Sequence, residues 1–421
     1  MILSAVLSMG CLSTQAQQVV SLADCHRLAR ENNAALVTAK NNIRMAEEQK
    51  RESRTQYFPT VSASSQAFQG NRDLVALDMG GTAMSFVKNG ILAGVTATQP
   101  VFAGGRIVNA NKLADLGLQG SKTQLQRLEN EVGLNTEQYF WNVVMLQEQL
   151  KTIAVLQEQL KVLDKDVSAA VRAGMTNRND LLQVQLRENE IESQKIRASN
   201  ALSVAKLVLS QYIGREGEPV DVDFSLPKDS LPPFPSALKV NHDDAVCATP
   251  EYQLLEQGVK QARLQRKLEV GRHLPSVGIG AGVTYNKIVG DGLTRGMVFA
   301  TVSIPISSWW GGSHAIRRYK TAEANAREQL QNNQQLLVIG MQRDWTEVEN
   351  AYAQLQLARK SIEQSEENLR LNRNLYDAGT SSMTDLMQAQ SQYQQSCNQF
   401  VNAYAALQQS IYAYKVATRQ Q

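Results

Sequence analysis

Residues 171–185 read VRAGMTNRNDLLQVQ, and residues 376–390 read YDAGTSSMTDLMQAQ. The two stretches share a glycine, an aspartate, a leucine and a glutamine, at Gly174 and Gly379, Asp180 and Asp385, Leu181 and Leu386, and Gln185 and Gln390. The members of each pair are 205 residues apart. An internal repeat of this length predicts a chain built from two copies of one structural unit.

The repeat extends upstream to two prolines. Pro100 in TQPVFAGGR and Pro305 in SIPISSWWGG are also 205 residues apart. Pro59 and Pro275 are 216 residues apart, so the first copy has extra residues between its two prolines, which we expect in a surface loop. Five of the ten prolines fall between the copies, where they exclude regular helix. The sequence therefore predicts a first repeat at 18–213, a linker at 214–248 and a second repeat at 249–421.

Long proline-free stretches predict long helices. Between about 106 and 173, apolar residues recur at steps of three and four, at Leu146, Leu150, Ile153, Leu156, Leu160, Leu163 and Val167. This spacing is typical of a coiled coil, and at 1.5 Å per residue the helix would be about 100 Å long. A second such helix is predicted at about 313–377. Shorter helices at about 180–213 and 384–418 are expected to return from tips at 172–180 and 377–384.

Four shorter stretches, at about 59–69, 91–103, 276–286 and 296–306, predict β-strands. In the last one, Val298, Ala300, Val302 and Ile304 alternate with Phe299, Thr301 and Ser303. Strands of about ten residues with small polar side chains on one face suit a transmembrane barrel. Four strands cannot enclose a pore, so such a chain must oligomerise or cover its strand edges. A soluble four-stranded sheet is the alternative.

Aromatic residues cluster near the ends of the predicted strands, at Tyr57, Phe58, Phe102, Trp309 and Trp310. A girdle of aromatic side chains marks the membrane interface of barrel proteins. Burial in a core is the alternative for any single one of them.

Residues 1–17 predict a secretory signal peptide that ends in the small-residue site Thr14-Gln15-Ala16. Cys11 within it is either a lipidation site or a residue lost with the signal. Cys25, Cys247 and Cys397 remain, without CxxC spacing. Buried free thiols are expected, with a bridge between Cys25 and Cys247 as the alternative.

The composition and motifs give no indication of an enzyme. The net charge is +3, without an excess that predicts nucleic-acid binding. Glycines in VGIGAG at 277–282 fall within a predicted strand rather than a phosphate-binding loop, and the four histidines are scattered. We therefore predict no catalytic residues, cofactor or metal ion.

The duplicated order of elements, with QPVFAGGR after the second strand and a glycine-to-aspartate tip in each half, resembles the TolC-type outer membrane factors of tripartite efflux pumps and type I secretion systems. The resemblance covers nearly the whole chain after the signal peptide. It implies a mainly α fold with a small transmembrane β part, in which a homotrimer forms a twelve-stranded β-barrel that continues into a twelve-helix periplasmic α-barrel.

The resemblance implies an exit duct in the outer membrane of a Gram-negative bacterium, surrounded there by lipid and extending into the periplasm. A periplasmic adaptor and an inner-membrane transporter are the implied partners. An exported periplasmic coiled-coil scaffold without channel activity is the alternative. Heat-modifiable migration and outer-membrane fractionation would favour the duct, and a soluble periplasmic pool would favour the scaffold. No sequence feature selects among drug, metal and protein cargo.

The resemblance also implies roles at the tips. Tyr376 and Asp180 would help to hold the periplasmic end closed, and Asp385 would form a ring of carboxylates. Gln388 stands where a second ring carboxylate is expected, and Ser381 stands where an arginine is expected, so Arg178 is the nearest replacement cation. The implied adaptor-docking residues are Arg172, Gly174, Met175, Gly379 and Thr380. The simpler interpretation is that the aspartates cap the returning helices and the glycines permit a positive φ.

Overall fold

Helices make up most of the computed structural model, which describes residues 19–71, 76–78, 83–85, 87, 89–215, 219–227, 231–288 and 291–420. The helices in these ranges are α1 (Leu22–Asn32), α2 (Ala34–Thr55), α3 (Arg106–Arg172), α4 (Arg178–Tyr212), α5 (His242–Ala245), α6 (Pro250–Arg272), α7 (Ser308–Asp377) and α8 (Met383–Thr418). The strands are β1 (Val19–Val20), β2 (Thr60–Gln69), β3 (Ala76–Asp78), β4 (Ala83–Ser85), β5 (Asn89–Ala103), β6 (Asp221–Val222), β7 (Ser276–Lys287) and β8 (Leu293–Ser303). The predicted signal peptide, including Cys11, lies outside the described residues.

The element order agrees with the order predicted for two similar halves. Helix α2, strands β2 and β5, and helices α3 and α4 follow one another in the first half, and α6, β7, β8, α7 and α8 follow one another in the second. The extra residues of the first half lie between β2 and β5, where β3 and β4 form a short antiparallel hairpin.

Helix α7 begins at Ser308, several residues before the predicted start at 313. Gly311 and Gly312 precede the predicted start, and glycine weakens a helix. The structure includes both glycines in the helix, and a Cβ at Gly312 would lie 2.7 Å from Nδ1 of His273. Close packing against the His273 ring therefore accounts for glycine at this position.

Contacts divide the chain into two compact units. We call the first one the tip unit, formed by Met1–Thr38, Leu125–Thr249 and Leu336–Gln421. We call the second one the strand unit, formed by Ala39–Gln124 and Pro250–Gln335.

Part of the tip unit is a core of large side chains. Trp345, Tyr414, Phe140, Leu36 and Leu209 are almost fully buried there. The proline-rich linker packs on this core, because Phe224 contacts Trp141 with 4.9 Å between ring centroids and Phe234 contacts Trp345 with 5.8 Å. Strand β6 of the linker pairs in parallel with β1. The linker is thus held by apolar burial even though its prolines allow only short helices.

The strand unit contains a four-stranded antiparallel sheet in the order β2-β5-β7-β8. The register places Val61, Ala97, Ala281 and Val298 in one row across the sheet, and Ser62, Thr96, Gly282 and Met297 in the adjacent row. Because side chains alternate between faces, one face is mainly apolar and the other carries serine, threonine and glycine. The predicted alternation of Val298, Ala300 and Val302 with Phe299, Thr301 and Ser303 is confirmed.

The prolines affect the strand ends differently in the two halves. Pro100 lies within β5, next to a bulge between Pro100 and Phe102 where the pairing with β7 shifts. Pro305 lies outside β8, which ends at Ser303, so the predicted strand at 296–306 was wrong at both ends. A proline lacks the N–H needed for ladder pairing and is tolerated at a bulge, which explains why β5 continues past Pro100.

The described cysteines, Cys25, Cys247 and Cys397, form no disulfide. Cys25 is fully buried, whereas Cys247 is exposed and Cys397 is half-buried, so the expectation of buried thiols was right only for Cys25. The alternative of a bridge between Cys25 and Cys247 is therefore wrong. No helix in the described ranges has both the length and the apolar character needed to cross a lipid bilayer.

Gly280 in β7 supplies the space for Phe299 of β8. A Cβ at Gly280 would lie 2.4 Å from Cζ of Phe299, so we expect Gly280→Val to displace this ring and destabilise the sheet by about 1–3 kcal/mol. Thermal unfolding in detergent, followed by intrinsic fluorescence, measures the effect. Gly296→Val is the matched control, because a Cβ at Gly296 would meet only the Gly282 carbonyl oxygen, at 4.0 Å. Equal destabilisation by the two variants would contradict the role assigned to Gly280.

Candidate functional site

The first tip reverses the chain between α3 and α4 through Gly174, whose φ is 69°. The N–H of Gly174 donates to the Val171 carbonyl at 3.1 Å, and the N–H of Met175 donates to the Ala170 carbonyl at 2.9 Å. This pair of bonds is a Schellman motif, which satisfies carbonyls left unpaired at the end of α3. Glycine is favoured at the turn because a side chain is strained at this positive φ.

The second tip has the same backbone pattern. Gly379 has a φ of 74°, its N–H donates to the Tyr376 carbonyl at 2.9 Å, and the N–H of Thr380 donates to the Leu375 carbonyl at 2.9 Å. The hydroxyl of Thr380 also donates to the Leu375 carbonyl, at 3.0 Å. The two glycines predicted at the tips therefore have equivalent conformations.

The returning helices begin with different caps. The side chain of Asn177 caps α4 by accepting a hydrogen bond from the Asp180 N–H at 3.1 Å. Ser382 caps α8 through a capping box, in which its hydroxyl oxygen accepts from the Asp385 N–H at 3.2 Å and its own N–H donates to Asp385 Oδ2 at 3.1 Å. The caps are thus Asn177 and Ser382, and the aspartates occupy the first turns.

Each aspartate interacts with its own turn. The Ser382 hydroxyl donates to Asp385 Oδ2 at 2.6 Å and lowers the pKa of the carboxyl, with further contributions from the Ser382 N–H and the Ser381 hydroxyl. Asp180 accepts a hydrogen bond from the Thr176 hydroxyl. Within the described ranges, neither carboxylate has an ion-pair partner, and Arg178 forms no ion pair.

An apolar cluster supports the tips. Its buried members come from α3, α4 and α8, at Ile153, Leu156, Leu160, Val167, Val184, Ile191, Ala198, Met383 and Leu386. Tyr376, near the end of α7, packs against this cluster and is half-buried. Burial raises the pKa of the Tyr376 hydroxyl, and the negative charges of Asp180 and Asp377 raise it further. Tyr376 is therefore a neutral phenol near the first-half carboxylate.

Polar contacts join the two returning helices. The Thr384 hydroxyl donates to Gln183 Oε1 at 3.3 Å. Farther along, the Gln394 side chain donates to Gln194 Oε1 at 2.8 Å and accepts from Arg187 Nη2 at 3.0 Å. The returning helices of the two halves are thus linked by amide and hydroxyl groups and by the Arg187 guanidinium, as well as by the apolar cluster.

The other predicted site residues are at the surface. The docking residues Arg172, Gly174, Met175, Gly379 and Thr380 are exposed, and Gln388 is exposed one turn beyond Asp385. In the strand unit, the aromatic residues Tyr57, Phe58, Phe102, Trp309 and Trp310 are also exposed. Burial in a core was the alternative for these aromatics, and in this chain it is wrong.

The prediction missed the two capping residues. Ser382 and Asp385 form an S-x-x-D sequence before an apolar run, which is a recognisable capping-box signal, and Asn177 precedes Asp180 by the same three residues. Among the described residues, no group of three or more His, Cys, Asp or Glu side chains is placed to hold a metal ion.

Comparisons with known proteins agree with this architecture. The profile of the family described as "Outer membrane efflux protein" matches residues 26–215 and 243–413. Among solved structures, the CmeC outer membrane channel of Campylobacter jejuni is similar with a TM-score of 0.81 and 16% identity, covering 99% of this chain and 93% of that one. The outer membrane protein VceC of Vibrio cholerae has a TM-score of 0.79 and 12% identity, covering 94% and 95%.

The open state of the MtrE outer membrane channel of Neisseria gonorrhoeae is also similar, with a TM-score of 0.74 and 16% identity, covering 94% of this chain and 88% of that one. At such low identities these structures establish the fold. A search of curated proteins finds no match to this chain.

Replacing Ser382 by alanine removes the hydroxyl that binds both the N–H and the carboxylate of Asp385. Loss of a helix cap costs about 1 kcal/mol, so we expect amide exchange in the first turn of α8 to be about fivefold faster. Hydrogen–deuterium exchange with mass spectrometry measures this rate. Ser381→Ala, which removes only a 3.3 Å contact to the same carboxylate, is the control and should change the rate much less. Equal acceleration by both variants would argue against the capping box.

Proposed function

Because this chain belongs to the outer membrane efflux protein family, we propose that three copies of it form the exit duct of a tripartite export system. The family consists of outer membrane channels rather than enzymes, and its members act with a periplasmic adaptor and an inner-membrane transporter. The chain is accordingly an outer membrane efflux channel that extends into the periplasm.

The unpaired edges of the sheet are the observation that carries the proposed trimer. Strands β2 and β8 are the two edges of the described four-stranded sheet. Their apolar side chains are exposed, with Val61 at 67% and Val298 at 85% of full exposure. Long exposed edges invite pairing with another chain, and closure into a barrel removes them. Joining β2 of one copy to β8 of the next preserves the antiparallel alternation around a ring.

The size of the ring supports three copies. Two copies would give eight strands, and a barrel of that size is filled by its own side chains or holds one small ligand. Three copies would give twelve strands and leave an aqueous lumen. The face that carries Ala97, Ala281 and Val298 suits contact with lipid, and the face that carries Ser62, Thr96 and Gly282 suits contact with water.

Cysteine crosslinking between sheet edges tests the trimer. In a chain without its native cysteines, we expect Ser64→Cys in β2, combined with Met297→Cys or Thr301→Cys in β8, to give crosslinked species of two and three chains on denaturing gels. These positions are on the same face of the sheet as judged from the register. Thr96→Cys in the central strand β5 replaces Ser64→Cys in the control. The trimer would be refuted if no edge pair crosslinks the chains and native mass spectrometry shows only monomers.

We propose that the tips close the periplasmic end of the duct. A three-fold axis would bring three Asp385 carboxylates together, and like charges in a narrow pore repel one another and attract cations. Tyr376 and Asp180 would also help to hold this end of the duct closed, with Arg178 and Gln388 beside them. The exposed residues around Gly174 and Gly379 would offer the surface on which the adaptor docks.

Single-channel recording in planar bilayers separates this gate from the cap. We expect Asp385→Asn to raise conductance by several-fold, because it removes the ring of charges that binds cations across the closed pore. Ser382→Ala keeps the charge and disrupts only the capping box, so its conductance should remain near that of the unmodified chain. Asp377→Asn controls for loss of another exposed tip charge.

Unchanged conductance in Asp385→Asn would exclude the carboxylate ring as the gate. An equal increase in Ser382→Ala would assign the closed state to the cap instead. Ion currents through the unmodified chain or any of these variants would support the duct, and a protein that conducts in none of these forms would favour the scaffold.

A further inference from the structure

The strand unit contains a basic groove that the proposed function leaves without a role. Its cavity volume is about 710 Å³. Residues of three helices line it: Lys50, Arg54 and Tyr57 at the end of α2, six residues of α3 from Val108 to Gln119, and Lys260, Arg263, Leu264 and Lys267 of α6. We call this surface the basic groove.

The charges of the basic groove are strongly unbalanced. Among the residues that the structure describes, six basic side chains line it, and Asp115 is the only lining carboxylate. Lys50 pairs with Asp115, and Lys260 pairs with Glu256 at 3.0 Å. The other four cations have no ion pair with any residue of the described ranges: Arg54, Lys112, Arg263 and Lys267.

Two other arginines of the strand unit, Arg266 on α6 and Arg327 on α7, do pair with a carboxylate. Arg266, less than one turn from Arg263, pairs with the buried carboxylate of Glu323 at 2.7 Å. Arg327 pairs with the second oxygen of Glu323 at 2.6 Å. Arg266 and Arg327 are thus each matched to a carboxylate, whereas Arg54, Lys112, Arg263 and Lys267 in the basic groove have no such match among the described residues.

A cleft lined by one sign of charge concentrates the electrostatic potential and raises the local concentration of oppositely charged ligands. Arginine guanidinium groups bind phosphate, sulfonate and carboxylate oxygens in a bidentate manner, and lysines add point charges. Val108, Leu116 and Leu264 supply apolar surface between the charged groups. This combination suits a ligand that carries several negative charges on an apolar body.

We propose that the basic groove binds an organic anion with at least two negative charges and an apolar body. Arg54 and Arg263 would bind its acidic groups, with Lys112 and Lys267 adding to the field, and the apolar body would lie on Leu116 and Leu264. Such a ligand is either a solute that the channel handles or the headgroup region of an anionic lipid. The inference goes beyond the exit duct, which by itself implies no preference for the charge of a ligand.

Fluorescence anisotropy with pyranine, an aromatic trisulfonate, tests the proposal on the full chain in a neutral detergent. We expect the unmodified chain to bind pyranine with an affinity that falls as salt is added. The triple variant Arg54→Gln, Arg263→Gln, Lys267→Gln should bind at least about tenfold more weakly, because three charged hydrogen-bonding groups are lost. Ethidium, an aromatic cation, should not bind in the groove.

The matched control removes the same charges from a different surface of the strand unit. Arg317→Gln, Arg318→Gln, Lys320→Gln removes two arginines and one lysine, all exposed and all outside the basic groove. Pyranine binding should be nearly unchanged in this control. A conservative variant, Arg54→Lys, Arg263→Lys, Lys267→Arg, keeps the charge and should retain most of the affinity. Circular dichroism checks that every variant is folded.

Equal weakening in the groove variant and the control would show that net charge alone attracts pyranine, and it would overturn the proposal. Unchanged binding in a folded groove variant would also overturn it. Nanodiscs identify the source of the natural ligand: competition by phosphatidylglycerol but not phosphatidylcholine would assign a lipid headgroup, and undiminished pyranine binding in both would assign a soluble anion. Neither result bears on the proposed exit duct, because conductance measurements test that proposal separately.

Discussion

The register between each long helix and the helix that returns along it depends on the turn at the tip. Five residues separate α3 from α4, and five separate α7 from α8. Val184, Ile191 and Ala198 recur every seven residues on α4 and are buried with residues of α3. Because each helical residue rotates the side chain by about 100°, a turn longer or shorter by one residue would move these side chains away from the seam. The Schellman motif and the N-cap together fix the turn length.

The turns at the two tips have equal lengths but different side chains. Val171 in the first tip corresponds to Tyr376 in the second, and the asparagine cap of α4 corresponds to the serine cap of α8. Only the second tip has a capping box, and its carboxylate oxygen Oδ2 accepts from both the Ser382 N–H and the Ser382 hydroxyl. If Asp385 closes a pore, its carboxylate has two functions, because it also stabilises the start of α8. The two roles compete when a cation or a partner approaches this oxygen.

The sequence predicted the long elements well, because their signals are regular and long. The absence of proline and the apolar spacing located α3 to within one residue at its end, and alternation identified which residues of β8 share a face. Both ends of β8 and the start of α7 were misplaced. The C-terminal end of β8 depends on the position of Pro305, and the start of α7 depends on the packing of Gly312 against His273. The basic groove had no sequence signal at all. Its cations come from helices more than 50 residues apart in the chain, so only the fold brings Arg54, Lys112 and Arg263 to one surface.

A backbone contact at the ends of the strands positions the walls of that groove. Gly104, just after β5, and Gly271, near the end of α6, lie so close that a Cβ on either would be within 2.5 Å of the other's carbonyl oxygen. Glycine is required at both positions, and Gly104 also has a φ of 62°. The contact holds the start of α3 beside the end of α6, and Val108 and Lys267 line the groove only four residues away from it on each side. The backbones just before α3 and near the end of α6 are in contact at this glycine pair. The helices leave room for a groove only farther along, where larger side chains follow, and the cations without an ion pair in the described ranges lie there.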